Sequence, residues 1–401
     1  MYTKPLFIAL IALSSVSVGV SAAENSLPAS VTTQTDKSEI CHHSVYDPLS
    51  KKTIVASESA KIFEVHELPA FLSSYGALKL ASDAKFDLNK SIVVPDTVLA
   101  ALHEQGRALT YFVPGENVRI DQLIKWAFFL FSPDATIALQ EEIRKNYDKN
   151  FESEIIRSLN LKSTSYDDEK KVWMTSPEDI AVLLGETARL LGSFDNFRNL
   201  EKNLFSNSAS EPTLWKVSHS DTSALLIFEH PSKNYAFGVG RSHNLSHPDN
   251  VRIISGCVWD DRNLDGTSTN KMTALLARGA NEFATLKIFD KYQKITELEV
   301  SNGVGKHIDL VTPHDVYITL SEKDLNEGSN QKVETFILHS ETTSAPIKIG
   351  ENIAELSVRY KGVEVAHTPL VAKTDIAESN FFIQFFKAFE HIKRDFYDNR
   401  K

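Results

Sequence analysis

Apolar and polar positions follow two different rhythms along the chain. Between about residues 120 and 205 apolar residues recur at helical spacing, as in IDQLIKWAFFLF and SPEDIAVLLGETARLL. The short apolar runs SALLIF, YAFGVGR and VRIISGCVW, separated by polar turns, then predict an antiparallel sheet. Two short strands are also predicted before the helices, from 39 to 56. Strands on both sides of a helical block predict an α+β or α/β sandwich whose sheet is completed by distant parts of the chain.

The last third of the chain has a different pattern. From 291 to about 374 short strands alternate with turn signals, which predicts a separate small all-β domain, a sandwich. Residues 376–401 then predict an amphipathic helix that lies in a membrane interface, although a helix docked on its own domain is the alternative. Its apolar side consists of Phe381, Phe382, Phe385, Phe386, Phe389, Ile392 and Phe396.

The N-terminal residues indicate where the protein is located, and its net charge restricts the class of partner. Residues 1–22 combine MYTK, an apolar run and the small residues Ser21 and Ala22, which is the pattern of a cleaved signal peptide. We therefore expect an exported protein. The net charge of −10, without a basic block, argues against nucleic acid as a partner.

Several segments together carry a family resemblance. They are YFVPGENVRIDQLIKW, NLKSTSYDDEKKVWMTSPEDIAVLLGETARLL, APIKIGENIAELSVRYKGVEVAHTPLVA and SNFFIQFF. In this order the chain resembles the D-alanyl-D-alanine carboxypeptidases among the low-molecular-mass penicillin-binding proteins. The resemblance implies a penicillin-binding, β-lactamase-like transpeptidase domain over 39–290, a small all-β domain over 291–374, and an anchor over 376–401. It also implies a periplasmic protein held peripherally on the inner membrane, with no cofactor.

The family's chemistry depends on three motifs, and the first is Ser-x-x-Lys at a helix start. There a serine attacks the terminal D-Ala-D-Ala amide of a peptidoglycan stem peptide, and the lysine takes its proton. Aligning FLSSYGALK with the family helix puts this slot at Glu67-Leu68-Pro69-Ala70. Glu67 cannot form an ordinary acyl-enzyme, and Ala70 cannot accept a proton.

The other two motifs are also replaced. The Ser-x-Asn slot falls on Phe131, Ser132 and Pro133, and a slip of one residue would give Ser-Pro-Asp instead. The Lys-Thr-Gly slot, on a strand that lines the cleft in the family, falls on Leu226, Ile227 and Phe228. Because triad-type groups act as a unit, the loss of all three motifs predicts an inactive relative.

Three Ser-x-x-Lys matches occur elsewhere, beginning at Ser82, Ser268 and Ser329. Serine and lysine are common, so two or three matches are expected by chance. The match from Ser268 to Lys271 lies on the helix that in this family packs behind the sheet, away from the cleft. We expect none of the three to be a nucleophile.

Cysteine and histidine offer two further hypotheses. Cys41 and Cys257 are expected on neighbouring strands, so a disulfide is feasible if they are directly opposed, and two free thiols are the alternative. His66 lies close to Glu64 and Glu67, but no histidine spacing fits a standard zinc pattern. Solvated or hydrogen-bonded histidines are therefore favoured, with no metal site.

Three functional hypotheses follow. The leading one is an inactive carboxypeptidase homologue that binds a peptidoglycan strand or a partner in the cell-wall machinery. The second is an active serine-type carboxypeptidase with a site rebuilt around Ser73, Ser74 or Ser132. The third is a structural membrane-surface module whose cleft is closed by the apolar residues at Leu226 to Phe228.

Overall fold

The computed structural model describes residues 41–104, 112–197, 215–219, 223–230, 233–244, 247–260, 267–326, 333–339 and 343–379. The predicted signal peptide and the aromatic face from Phe381 to Phe396 lie outside the described residues. In the part of the chain that is described, no helix combines the length and the apolar character needed to cross a membrane.

The chain divides into two compact units. The larger unit takes its residues from 37–288 and 316–328, and the smaller unit includes 289–315 and the chain from 329 onward. The stretch that begins at Val316 was expected in the small all-β domain. By its contacts it groups with the larger unit, and its strand pairs with the strand Phe283–Phe289.

The larger unit combines eight described helices with thirteen described strands. Its helices are α1 (Leu68–Ser82), α2 (Thr97–Glu104), α3 (Ile120–Leu130), α4 (Pro133–Asn146), α5 (Phe151–Ser158), α6 (Pro177–Ser193), α7 (Thr267–Asn281) and α8 (Glu322–Asn326). The main-sheet strands are β1 (His42–Asp47), β2 (Lys52–Ser57), β8 (Lys216–His219), β9 (Ser223–Glu229), β10 (Tyr235–Asn244) and β11 (His247–Trp259). Shorter strands are β3 (Phe63–Glu64), β4 (Ser91–Val93), β5 (Asn117–Arg119), β6 (Ser165–Asp167), β7 (Val172–Thr175), β12 (Phe283–Phe289) and β15 (Val316–Ser321). In the sequence, two strands of the smaller unit, β13 (Lys294–Ser301) and β14 (His307–Val311), lie between β12 and β15.

The main sheet is antiparallel, with the order β2-β1-β11-β10-β9-β8. Helix α6 lies on one face of this sheet and α1 packs against α6, while α7 packs on the other face. We call these the front face and the rear face. Successive residues of β9 alternate between them: Leu226 and Phe228 join the front core, and Leu225 and Ile227 join the rear core. The sheet completed by distant strands is thus confirmed.

Glycines allow α7 to approach the rear face closely. A Cβ added at Gly238 would lie 2.5 Å from Leu276 Cδ1, and one added at Gly256 would lie 2.5 Å from Met272 Cε and 2.9 Å from the Ser44 carbonyl oxygen. The two glycines are paired across β10 and β11. Their missing side chains therefore leave the space that the helix fills.

A buried ion pair also joins the rear elements. Arg252 Nε lies 2.8 Å from Asp47 Oδ2, and Arg252 Nη1 donates to the carbonyls of Gly279 at 2.9 Å and Phe283 at 2.7 Å. Thr319 Oγ1 donates to the same Asp47 oxygen at 3.1 Å. This network connects β1, β11, the end of α7 and β15 within the larger unit.

The smaller unit is an all-β structure, as predicted. Its sheet has the order β16-β18-β19-β14-β13-β17. The remaining strands are β16 (Val333–His339), β17 (Thr343–Ser344), β18 (Asn352–Tyr360) and β19 (Val363–Ala372). Ile376 and Glu378 were expected to begin the amphipathic helix, but they form β-bridges with Ile347 and Gly303. The sheet contacts therefore extend beyond the predicted boundary at 374.

Candidate functional site

Glu67, which the sequence alignment predicts at the slot of the family's nucleophile, lies directly before α1. Its backbone carbonyl accepts hydrogen bonds from the amides of Ala70 and Phe71, but its side chain does not cap the helix. Instead, the carboxylate is buried and its Oε2 accepts a hydrogen bond of 2.7 Å from the Tyr235 hydroxyl on β10. Ala70, one turn later, is buried and offers no base. The slot therefore holds a fixed carboxylate rather than an activated hydroxyl.

Two histidines extend this polar group. His230 Nε2 lies 3.8 Å from Glu67 Oε1, and His66 Nε2 lies 3.0 Å from Glu64 Oε1. The two imidazole rings are 6.1 Å apart. Burial lowers the pKa of His230, and the neighbouring His66 lowers it further. Within the described residues no group of three or more His, Cys, Asp or Glu side chains is arranged to hold a metal ion.

Tyr235 is held in its protonated form. Burial raises the pKa of this phenol far above its usual value, and the adjacent Glu67 carboxylate raises it further. The proton that Glu67 accepts in the hydrogen bond therefore remains on Tyr235 through the physiological range. This link between residues far apart in the sequence had no signal in the local pattern.

The Ser-x-Asn slot is used for a helix-to-helix turn. Phe131 ends α3 in the left-handed region, with φ 50° and ψ 35°. Ser132 caps α4: its Oγ accepts a hydrogen bond from the Ala135 amide at 3.3 Å, and it also donates to Asp134. Pro133 occupies the first position of the helix. Ser132 is buried, and its hydroxyl is engaged as the cap of α4.

The Lys-Thr-Gly slot is apolar and buried on both sides of β9. Ile227 faces the rear, while Leu226 and Phe228 face the front, where a lysine and a glycine would stand in the family. The rings of Phe228 and Phe131 are 4.5 Å apart, so the second and third slots are in direct contact. No cation is present at this position of the strand.

These rings belong to a larger group that we call the aromatic cluster. It consists of Phe71, Phe128, Phe131, Trp215, Phe228 and Phe237. Ring centroids of neighbours lie 4.5 to 6.5 Å apart, which is the range of favourable aromatic contacts. Trp215 also donates its indole N–H to the carbonyl of Phe128 at 3.2 Å. The cluster fills the space between α1, α3 and the front of the sheet.

The chain is similar to known proteins in its C-terminal domain and over most of its length. Residues 283–378 match the family model described as penicillin-binding protein 5, C-terminal domain. D-alanyl-D-alanine carboxypeptidase DacF of Bacillus subtilis (strain 168) is 23% identical over 338 residues, which are 78% of this chain and 80% of that protein. DacD of Escherichia coli (strain K12), with the same enzyme name, is 24% identical over 117 residues, 29% of each chain. Residues 283–378 therefore belong to this C-terminal domain family, and the chain as a whole is similar to low-molecular-mass D-alanyl-D-alanine carboxypeptidases.

Solved structures of similar proteins agree on the fold of this chain. Penicillin binding protein 5 from Haemophilus influenzae matches with a TM-score of 0.53 and 17% identity, over 88% of this chain and 100% of that chain. Penicillin binding protein 6B from Escherichia coli matches with a TM-score of 0.50 and 15% identity, over 87% and 100%. The fold is thus a transpeptidase-like α/β domain and a C-terminal all-β domain, as predicted.

The other serines considered as nucleophiles lie within helices α1 and α7. Ser73 Oγ donates to the Pro69 carbonyl at 2.6 Å within α1, and Ser74 is buried beside it. Ser268 begins α7 on the rear side, and Lys271 of the same pattern binds Asp260 at 2.7 Å. The expectation that this Ser-x-x-Lys match lies behind the sheet is therefore confirmed.

The two cysteines do not form a disulfide. Both are free and buried. The register places Ser44, and not Cys41, opposite Cys257. Because Cys41 lies an odd number of positions from Ser44, it faces the rear core, whereas Cys257 faces the front core. The direct opposition on which the disulfide hypothesis depended is absent.

Proposed function

We propose that this protein acts in cell-wall metabolism by binding and does not carry out serine acyl transfer. The observation that carries the proposal is the buried Glu67 carboxylate, held by Tyr235 at the position of the nucleophile. An acyl-enzyme ester requires a hydroxyl or thiol nucleophile with a base beside it. Glu67 and Ala70 supply neither.

The aromatic cluster supports the same proposal independently. In an active member, the second and third motifs present polar groups and a cation to the substrate. Here Phe131 and Phe228 are in ring contact at these two positions. A stem peptide would have to displace packed rings, so binding on an outer surface is favoured over binding between the three slots. The same closure favours the second candidate function, a structural membrane-surface module.

The proposed location is the periplasm, on the outer leaflet of a bacterial inner membrane. The signal-peptide pattern of residues 1–22 and the aromatic face of 376–401 support this placement. The named relatives are cell-wall carboxypeptidases, which supports a peptidoglycan strand or a component of the cell-wall machinery as the partner.

The acylation test uses the mature chain, without residues 1–22, incubated with a fluorescent penicillin. We expect no covalent adduct on a denaturing gel or in the intact mass, beside an active carboxypeptidase of the family as the positive control. An adduct that maps to Ser73, Ser74 or Ser132 would overturn the proposal. The double variant Glu67→Ser, Ala70→Lys restores the first motif, and we expect it to remain unlabelled because Phe131 and Phe228 stay packed.

The binding test measures co-sedimentation of the mature chain with isolated peptidoglycan sacculi. We expect the protein in the pellet, with the same affinity for Glu67→Gln as for the unmodified chain, because the slot does not take part. A loss of binding in Glu67→Gln would place the ligand at the slot instead. No sedimentation at all would favour the structural module.

A further inference from the structure

The last described segment of the smaller unit, from Asp375 to Ser379, runs between two loops. On one side Val304 N donates to the carbonyl of Ala377 at 3.0 Å, and Ser379 N donates to the carbonyl of Asn302 at 2.7 Å. The loop 302–306, between β13 and β14, is thus held against this segment. The chain leaves toward residues 381–396 directly beside it.

The loop 346–350 lies on the other side of the same segment. Ile347 and Ile376 exchange two backbone hydrogen bonds of 2.9 Å, and Ile349 N donates to Asp375 Oδ1 at 2.6 Å. Ile347 is buried by this pairing. The two loops therefore flank the point at which the chain continues into the predicted amphipathic helix.

Each loop presents one large aliphatic side chain to solvent. Val304 is 59% exposed and Ile349 is 65% exposed, although Ile376 between them is buried. Both side chains lie at the end of the sheet where the chain leaves, because β19 runs from Val363 at the other end toward this segment. Exposed aliphatic residues that flank an amphipathic segment are suited to an apolar surface.

The charges around these two side chains are balanced. Lys306, Lys348 and Lys373 are exposed here, and so are Glu351, Asp375 and Glu378. Glu351 and Asp375 accept backbone hydrogen bonds from Lys348 and Ile349, which fixes the shape of the loop 346–350. Because acids and bases are equal in number, we do not expect attraction to anionic lipid to be the main driving force at this surface. We expect the main driving force to be burial of the apolar side chains.

We propose that Val304 and Ile349 insert into the head-group boundary of a lipid bilayer beside the segment 381–396. They act as a second membrane contact that orients the smaller unit. An amphipathic helix alone attaches the chain at one point. Two further contacts beside it would determine which side of the smaller unit faces the bilayer. This inference rests on the proposed membrane attachment of 376–401, and it names residues outside that helix.

The test places a probe on each loop of the full mature chain. Val304→Cys and Ile349→Cys are labelled with an environment-sensitive dye and mixed with vesicles of phosphatidylethanolamine and phosphatidylglycerol. The matched control is Val363→Cys, 42% exposed at the opposite end of the same sheet. Cys41 and Cys257 are buried, so they do not compete for the dye. We expect a blue shift at 304 and 349 and none at 363.

A second measurement gives the size of the effect. The double variant Val304→Asp, Ile349→Asp should lower the vesicle partition coefficient about tenfold, since two aliphatic side chains lose their apolar burial. Val363→Asp should change it less than about twofold. The difference between the variants should persist at high salt because the charges are balanced.

The outcomes separate this inference from the membrane attachment on which it rests. If the unmodified chain binds vesicles but the dyes at 304 and 349 show no blue shift, the membrane attachment is supported and the inference is overturned. If no variant binds vesicles, including the control, both fail together. A blue shift that appears without lipid and rises with protein concentration would assign the two side chains to a second copy, which also overturns the inference.

Discussion

The two faces of the main sheet are built from alternate residues of the same strands, yet they are packed in different ways. On the rear, Gly238 and Gly256 remove side chains so that α7 can pack closely. On the front, Phe228 and Phe237 add rings where the family requires an accessible polar cleft. Helix packing on the rear does not depend on the chemistry of the front. The packing of the rear face can therefore persist when the residues of the front face change.

The largest effect is expected from breaking the rear face at Arg252. Arg252→Met leaves Asp47 buried without its cation, which should lower the free energy of unfolding by about 3–5 kcal/mol. The measurement is urea unfolding followed by circular dichroism. The control Arg278→Met removes a more exposed ion pair with Glu282 and should cost less than about 1 kcal/mol. If the two variants lost the same free energy of unfolding, the buried ion pair would not be stabilising the rear face.

The next effect tests whether the front face is a core or a cleft. Phe228→Ala removes a buried ring from the aromatic cluster and should cost about 3 kcal/mol, measured in the same way. The control Phe336→Ala removes a ring that is partly exposed on β16, so its loss should be smaller. A cost below about 1 kcal/mol for Phe228→Ala would mean that the front is an open cleft with a loosely held ring.

The smallest effect concerns the hydrogen bond between Tyr235 and Glu67, and it appears as a pH dependence. The pKa of Tyr235 is raised in the folded state, so above about pH 10 the unfolded chain loses a proton that the folded chain retains. Stability is therefore full below pH 10 and falls as the pH rises. Tyr46 also has a raised pKa, and burial raises that of Tyr75 to about 12, so all three phenols contribute.

Removing the phenol of Tyr235 should reduce this slope. For Tyr235→Phe we expect the fall in the free energy of unfolding between about pH 10 and 12 to be shallower by about 1.4 kcal/mol per pH unit. Tyr166→Phe, which removes an exposed phenol, is the control and should leave the slope unchanged. An unchanged slope in Tyr235→Phe would mean that this phenol ionises alike in both states.

The periodic parts of the sequence predicted the fold well. The helical spacing before residue 205 and the short strands after 223 gave the elements of the larger unit, because burial of one face imposes the spacing. The strand at Val316 groups with the larger unit by its contacts, and its own pattern does not specify this, since a single strand has the same pattern in either sheet. Its partner, Phe283–Phe289, is set by tertiary contacts.

The motif positions stay a prediction from alignment, and the contacts around them could not be predicted from the sequence. Alignment alone placed Glu67 and Phe228 at motif positions. The hydrogen bond from Tyr235 to Glu67 joins residues 168 positions apart, and no local signal specifies it. The pairing of Cys257 with Ser44 depends on strand register, and a shift of one position reverses which face a side chain occupies.

The ion pair at Asp47 has a consequence for how the chain is made. Asp47 lies on the first strand, but Arg252 follows it by 205 residues and Thr319 follows it by 272. Synthesis proceeds from the amino terminus at about 5–20 residues per second, so β1 exists for many seconds before its partners do. Throughout that interval its apolar residues must be kept from wrong partners. The larger unit therefore closes only once most of the chain has been synthesised.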